Sequence, residues 1–292
     1  MYKQIAQNKR RTILIIIGFV VLISALAGIF AYFYRDPWIA VWTIAVALVY
    51  ALIQYFAASS LAVAMSGARE VTKKDCPRLY NVVENLSITT GLPMPKVYVI
   101  DDPAPNAFAT GRDPKHAIVA ATTGLIDIMN DKELAAVMAH EMSHVKNYDI
   151  RVSMIVFGLV CVVGLISDVA SRMVFYGNRR RNEEGSPIGY VLILIAAIFS
   201  PIVAAVAQMA VSRQREYLAD ASAVNITRYP EGMVSALKKL QSHSAPMKNQ
   251  NSAYAQMYIN NPLRKGFFSE LFSTHPPIEK RIERIENGKQ NF

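Results

Sequence analysis

The sequence opens with two long apolar runs, and these limit what the chain can fold into. Residues 12–34 and 38–68 contain no charged side chain. Each run exceeds the roughly 20 residues that a helix needs to cross a bilayer. Only Arg35, Asp36 and Pro37 separate them, which predicts a tight helical hairpin. Because only 18% of the 292 residues are charged, well below the usual share in soluble domains, we expect a membrane protein.

Composition excludes several other classes. A hydrophobic content of 52% is too high for a disordered chain. Cys76 and Cys161 are the only cysteines, too few for a disulfide scaffold or a thiolate zinc finger. The net charge of +9 is compatible with nucleic acid or anionic lipid. Anionic lipid explains it better, because basic residues lie beside the apolar runs: Lys9, Arg10, Arg11, Arg69, Lys73 and Lys74.

The same basic residues predict that both ends of the hairpin face the cytoplasm. A cleavable signal peptide is the alternative for the first run, but that run is too long and leads directly into a second span. Two further apolar runs lie at 152–167, continuing past Asp168 toward Tyr176, and at 186–212. The loop between them is basic, which contradicts the positive-inside rule if both runs cross fully. The sequence therefore leaves their topology open.

The remaining chain predicts one compact domain of α+β class, built from residues 69–151 and 213–292. A helix is expected over residues 77–90, and a strand over 96–100. Two more short strands are expected at 106–109 and 116–120. A polar stretch, residues 241–261, has the composition of a mobile loop that could gate a cleft.

A second helix is expected from Asp131, as its N-cap, to about Lys146. It contains His140-Glu141-Met142-Ser143-His144. Residues four apart share one helix face, so both imidazoles can reach one metal ion. Glu141 is one residue along, where a general base for a metal-activated water belongs. The surrounding helix is apolar, and buried polar groups need partners, which favours a metal over a structural role for the histidines.

A third metal ligand is expected in the segment that follows the last apolar run. Glu216 and Asp220 share one face of a predicted helix. One carboxylate can bind the metal while the other holds a ligating imidazole from behind. The alternative is a solvated acidic face paired with Arg213 and Arg215. If His144 and Glu216 share a metal, the number of membrane crossings between them must be even.

Together, these motifs resemble the HtpX family of membrane zinc endopeptidases, bacterial relatives of the CAAX-prenyl endopeptidases. The third motif of the resemblance runs from Ser273-Thr274-His275-Pro276-Pro277 to Arg281-Ile282. The resemblance covers essentially the whole chain. It implies a zincin-like domain of the gluzincin type with a small β-sheet and transmembrane helices, mostly α overall. It also implies one Zn²⁺ per chain on His140, His144 and Glu216, with Glu141 as base and proton shuttle, although the residues alone leave the ion's identity open.

The resemblance also implies a domain order and a cellular role. A transmembrane hairpin (1–68) precedes the HExxH part of the catalytic domain (69–151), two further membrane helices (152–212) and the part with the third ligand (213–292). The active site is expected on the cytoplasmic side of the bacterial inner membrane, where it acts in the stress response on misfolded or damaged membrane proteins. The expected partners are unfolded or membrane protein substrates and the lipid bilayer, without nucleic acid; the oligomeric state stays open.

Some roles in this scheme remain open. His275 is a candidate donor to the oxyanion, with Arg281 as an orienting or structural cation; alternatively, His275-Pro276-Pro277 only starts a helix. The strand at 117–122 is expected to form the sheet edge that pairs with extended substrate. Two alternative functions remain open. The chain could be a CAAX-type processing protease with a narrow substrate range, or a non-catalytic metal-stabilised membrane scaffold.

Overall fold

A computed structural model describes residues 2–161, 213–249, 255, 257–260 and 276–288. The expectations for His275, for the basic loop and for nearly all of the two later apolar runs lie outside these residues. The helices are α1 (Tyr2–Tyr34), α2 (Pro37–Ser66), α3 (Pro77–Thr90), α4 (Thr123–Ile128), α5 (Asp131–Lys146), α6 (residues 149–161), α7 (Arg213–Thr227), α8 (Pro230–Ser242) and α9 (Ile278–Gly288). The strands are β1 (Arg69–Glu70), β2 (Lys96–Ile100), β3 (Ala107–Gly111) and β4 (Ala117–Thr122), with a short 3₁₀ helix at Pro114–His116.

The predicted helical hairpin is confirmed, since α1 and α2 pack along each other. The Asp36 carboxylate accepts a hydrogen bond from the backbone N–H of Trp38 at 2.9 Å and so caps α2. Within the described part of the chain, one helical segment has the length and hydropathy of a membrane span. It runs over Ala40–Ser66 and has a mean hydropathy of 1.8. None of its most apolar 18-residue stretch is buried inside the protein. An apolar surface of this kind is typical of a helix in contact with lipid.

The four strands form one mixed sheet in the order β1-β2-β4-β3. β2 and β4 are parallel, whereas β3 runs antiparallel to β4 with Ala109 opposite Val119. The expectation that residues 117–122 form the sheet edge is therefore wrong. β4 lies between two strands, and β3 is the edge on that side. The alternation of side chains cannot distinguish an edge strand from a central one when both faces are buried, as all residues of β3 and β4 are.

Part of the stretch expected to be a mobile loop pairs with this edge. The backbone N–H of Ile259 donates to the carbonyl of Ala107 at 3.0 Å. The Asn106 amide donates to the carbonyl of Asn260 at 2.8 Å, and its oxygen accepts from the Asn260 N–H at 3.1 Å. Residues 257–260 thus extend the edge of the sheet beside the start of β3.

Helix α5 lies in the middle of the hydrophobic core, packed between the sheet and helices α3, α7 and α8. Its N-cap is Asn130 rather than the expected Asp131. Asn130 accepts from the N–H of Glu133 at 2.9 Å, and Glu133 accepts from the N–H of Asn130 at 2.7 Å. This capping box fixes the start of the helix. Because Leu134, Val137 and Met138 are fully buried, α5 holds its polar second half deep inside the domain.

Candidate active site

The second half of α5 brings His140 and His144 to one point. Their Nε2 atoms are 3.2 Å apart, as expected for side chains four residues apart on one helix face. His140 is completely buried, whereas the His144 side chain retains 14% of its exposure. The two imidazoles therefore meet at a point that is sealed at His140 and slightly exposed at His144.

Helix α7 supplies a carboxylate to the same point. Oε2 of Glu216 is 3.5 Å from Nε2 of His140, and Oε1 is 3.6 Å from Nε2 of His144. A tetrahedral ion with bonds of about 2.0–2.1 Å holds its ligand atoms about 3.3 Å from one another. The donor set and its spacing therefore fit one divalent cation with two nitrogen ligands and one oxygen ligand. The predicted trio of His140, His144 and Glu216 is brought together by the fold.

A buried carboxylate–guanidinium pair lies behind His140. Nδ1 of His140 is 2.9 Å from Oδ1 of Asp220. Arg281 on α9 donates to both oxygens of Asp220, from Nε at 2.9 Å and from Nη2 at 2.6 Å. The bidentate contact orients the carboxylate. Asp220 thus occupies the position expected for the carboxylate that holds a ligating imidazole, and Arg281 orients it.

Asp149 holds His144 in the corresponding way, which no sequence pattern predicted. Its Oδ2 is 3.1 Å from Nδ1 of His144, and its Oδ1 accepts from Nη1 of Arg215 at 3.0 Å. Asp149 follows the end of α5 by three residues, where Tyr148 has a positive φ of 61°. The sequence does place an acidic residue just beyond the HExxH helix. Whether its carboxylate faces His144 depends on the backbone turn at Tyr148.

The carboxylates around the two imidazoles favour a cation at this point. Burial alone lowers the pKa of His140, but hydrogen bonds to Asp220 and Glu216 outweigh it and raise that pKa to about 9. The pKa of His144 is also raised, because the charge of Glu216 and the hydrogen bond to Asp149 outweigh its burial. Burial raises the pKa of Asp220, but Arg281 and His140 reverse the shift and lower it to about 2. A metal ion at this point must displace protons from the imidazoles.

Glu141 is also buried, next to His140 in α5. The positive charge of Arg281 acts on it as well as on Asp220 and Glu216. Its role as the base stays a prediction, as does the role of His275. Helix α9 begins at Ile278, directly after Pro277, so the helix-start alternative for this motif is consistent with the structure.

An HExxH helix with a glutamate from a second helix, behind a small mixed sheet, defines a metallopeptidase of the gluzincin class. The profile of Peptidase family M48 matches residues 73–289. The chain belongs to this family and is a metalloprotease, which confirms the enzyme class expected from the motifs.

Relatives match the full chain. The "Protease HtpX homolog" of Tropheryma whipplei (strain Twist) is 54% identical over 292 residues, covering 100% of both chains. The "Protease HtpX homolog" of Streptococcus pyogenes serotype M49 (strain NZ131) is 45% identical and covers 98% of this chain and 99% of its own. These matches confirm the resemblance stated from the three motifs.

The fold has a counterpart among solved structures. The crystal structure of S. mikatae Ste24p superposes with a TM-score of 0.51 at 21% identity, covering 98% of this chain and 67% of that one. At this identity the match concerns the fold alone. It agrees with the mostly helical zincin-like architecture with a small sheet.

Proposed function

We propose that the chain is a zinc endopeptidase of the bacterial inner membrane that cleaves misfolded or damaged membrane proteins on the cytoplasmic side. The observation that carries the proposal is the convergence of His140, His144 and Glu216 at tetrahedral spacing beside the buried Glu141. Two nitrogens and one carboxylate oxygen, with a fourth position left for water, form the donor set of catalytic zinc sites.

Each side chain is assigned a catalytic role from its residue type and its place in the motifs. Bound zinc supplies a Lewis acid that polarises the peptide carbonyl and makes water more acidic. Glu141 takes the proton of the attacking water and returns it to the leaving amine. Asp220 and Asp149 hold the two imidazoles from behind, so that Nε2 of each points to the common centre. His275 is proposed as a donor to the oxyanion of the tetrahedral intermediate.

The sheet edge supports a broad substrate range. Beyond the residues that pair with 258–259, β3 is the outer strand among the described residues and packs against α5, so an extended segment that adds there would lie beside the site. Pairing through backbone hydrogen bonds depends little on sequence. This suits a protease that acts on many unfolded chains.

The orientation of the hairpin supports a cytoplasmic site. Asn8, at the start of α1, donates to Asp149 beside His144 at 2.7 Å. Lys9, Arg10 and Arg11 follow directly in the sequence, before the apolar run begins. Basic residues at the end of a span favour the cytoplasm, and the site lies at this end of α1.

The test is the cleavage of an unfolded protein by the detergent-purified full chain, first metal-stripped and then reloaded with zinc. We expect activity only with zinc, and a loss of about 10²- to 10⁴-fold in Glu141→Gln at unchanged metal content. Glu84→Gln is the matched control, because it makes the same chemical change at a surface ion pair with Lys73. Zinc binding without any cleavage would support a metal-stabilised scaffold instead. Cleavage restricted to prenylated C-terminal peptides would support a processing protease.

A further inference from the structure

Asn8 connects the N-terminal helix to the candidate metal site. One side-chain nitrogen, Nδ2, donates to the carbonyl of Asn147 at 2.8 Å and to Oδ1 of Asp149 at 2.7 Å. Both hydrogens of the amide are used. The two acceptors lie at the C-terminus of α5 and at the first turn of α6, on either side of the turn at Tyr148.

The Asp149 carboxylate is held from both sides by these contacts. Its Oδ1 accepts hydrogen bonds from Asn8 of α1 and Arg215 of α7. Its Oδ2 lies 3.1 Å from Nδ1 of His144. A carboxylate held in this way fixes both the ring orientation and the tautomer of the imidazole, so that Nε2 is available to a metal. The N-terminal helix thus reaches His144 through one intermediate residue.

The burial of Asn8 means that its side-chain amide needs these hydrogen bonds. Only 2% of Asn8 is exposed, and a buried amide costs free energy unless it is hydrogen-bonded. A second contact joins the same two parts, since the Lys9 ammonium lies 4.9 Å from the ring centre of Tyr148.

We propose that Asn8 is a positioning residue for His144, acting through Asp149, so that the metal affinity of the site depends on the N-terminal membrane helix. This inference rests on the proposed metal site. It extends the proposed function by assigning the hairpin a part in building the site, in addition to anchoring the chain. A chain without the start of α1 would keep all three ligands and lose one support of His144.

The experiment compares Asn8→Ala with Thr12→Val in the detergent-purified full chain. Thr12 lies one turn further along α1, is 4% exposed, and its hydroxyl has no hydrogen-bond partner among the described residues. Both substitutions remove a buried polar group from the same helix, but only the first removes a bond to Asp149. The readouts are the Kd for Zn²⁺, measured by competition with a chromogenic chelator, and the visible spectrum of the Co²⁺-loaded protein.

We expect the Kd for Zn²⁺ to rise about 10- to 100-fold in Asn8→Ala and to stay at the wild-type value in Thr12→Val. The Co²⁺ bands, which report the ligand geometry, should change in Asn8→Ala alone. A purely structural role would destabilise the metal-free protein without changing the Kd or the spectrum of the folded fraction. That result would overturn the inference.

A double variant tests the route through Asp149. If Asn8 acts only by holding that carboxylate, Asn8→Ala combined with Asp149→Asn has the Kd of Asp149→Asn alone. Independent, multiplying effects would contradict the route. If Asn8→Ala does not fold, Asn8→Ser replaces it, because its hydroxyl keeps one donor. An intermediate Kd is then expected, and a wild-type Kd overturns the inference. Failure of the wild-type chain to bind Zn²⁺ would instead contradict the proposed function.

Discussion

The two imidazoles of the site are held in different ways, although they lie four residues apart in one helix. His140 is supported by Asp220 and Arg281, all of them almost completely buried inside the domain. His144 is supported by Asp149, which is held by Arg215 and by Asn8 of the N-terminal helix α1. The first support is a bidentate ion pair, and the second is a network shared among three helices.

The two supports are expected to affect different properties: the stability of the domain and its affinity for the metal. Removing one partner of a sealed ion pair leaves an uncompensated charge in the core. Near His144 the pocket is partly open, so water can replace a lost partner more easily. We therefore expect the His140 side to govern whether the domain is stable, and the His144 side to govern how tightly it holds the metal.

The largest effect is expected from Arg281→Met. The variant leaves the Asp220 carboxylate buried without its guanidinium, which should cost about 3–5 kcal/mol of unfolding free energy. Chemical denaturation of the metal-free protein in detergent measures this loss. Lys280→Met, at the exposed neighbouring position, is the control and should change little. A loss in Arg281→Met no larger than in the control would show that the pair does not stabilise the domain.

The next effect is the pH dependence of the metal-free protein. The folded pKa of His140, about 9, lies above its ordinary value of 6.5. Its contribution to stability is therefore complete below pH 6.5 and is lost as the pH rises through 9, on the order of 3 kcal/mol. Thermal unfolding with a chelator present, compared with His140→Gln, isolates this contribution. The same stability loss with rising pH in His140→Gln would assign it to other groups.

A smaller effect, and one of a different kind, is expected from Asp149→Asn. It should weaken the binding of Zn²⁺ about 10- to 100-fold, whereas the stability of the metal-free protein changes less than in Asp220→Asn. Titration with Zn²⁺ and denaturation of both variants measure the two quantities. If Asp149→Asn proves as destabilising as Asp220→Asn, the two supports do not differ as we infer.

The smallest effect should come from the far end of α5. Asn130→Ala removes the N-cap of the helix and should cost about 1 kcal/mol, with no change in Kd for Zn²⁺ because the cap is remote from both imidazoles. Thr89→Ala, at an exposed position of α3, serves as the control. A changed Kd in Asn130→Ala would show that the start of α5 is coupled to the site.

Local patterns predicted much of the fold and most of the candidate site. The bounds of α3 and β2 follow from apolar spacing and from proline and glycine at their ends, and both are confirmed. The metal trio could be predicted because HExxH fixes two ligands through helical periodicity, and because an acidic pair follows the last apolar run. Asp220 behind an imidazole could be expected from the same spacing.

Other features depended on contacts between distant segments. The edge position of β3 depends on strand order, which alternation within a strand does not encode. Asp149 faces His144 because the chain turns at Tyr148, and Asn8 reaches it from 141 residues away. No local period predicts such a pairing.

The sequence by itself determined the apolar hairpin, the HExxH helix, the acidic segment and the family. Each of these depends only on residue types and on spacing over short stretches of the chain. Only the tertiary structure decided which carboxylate supports which imidazole and which strand lies at the edge of the sheet. It also decided that Asn8 of α1 contacts the carboxylate that faces His144. Directional hydrogen bonds form only after packing brings distant side chains within about 3 Å of each other.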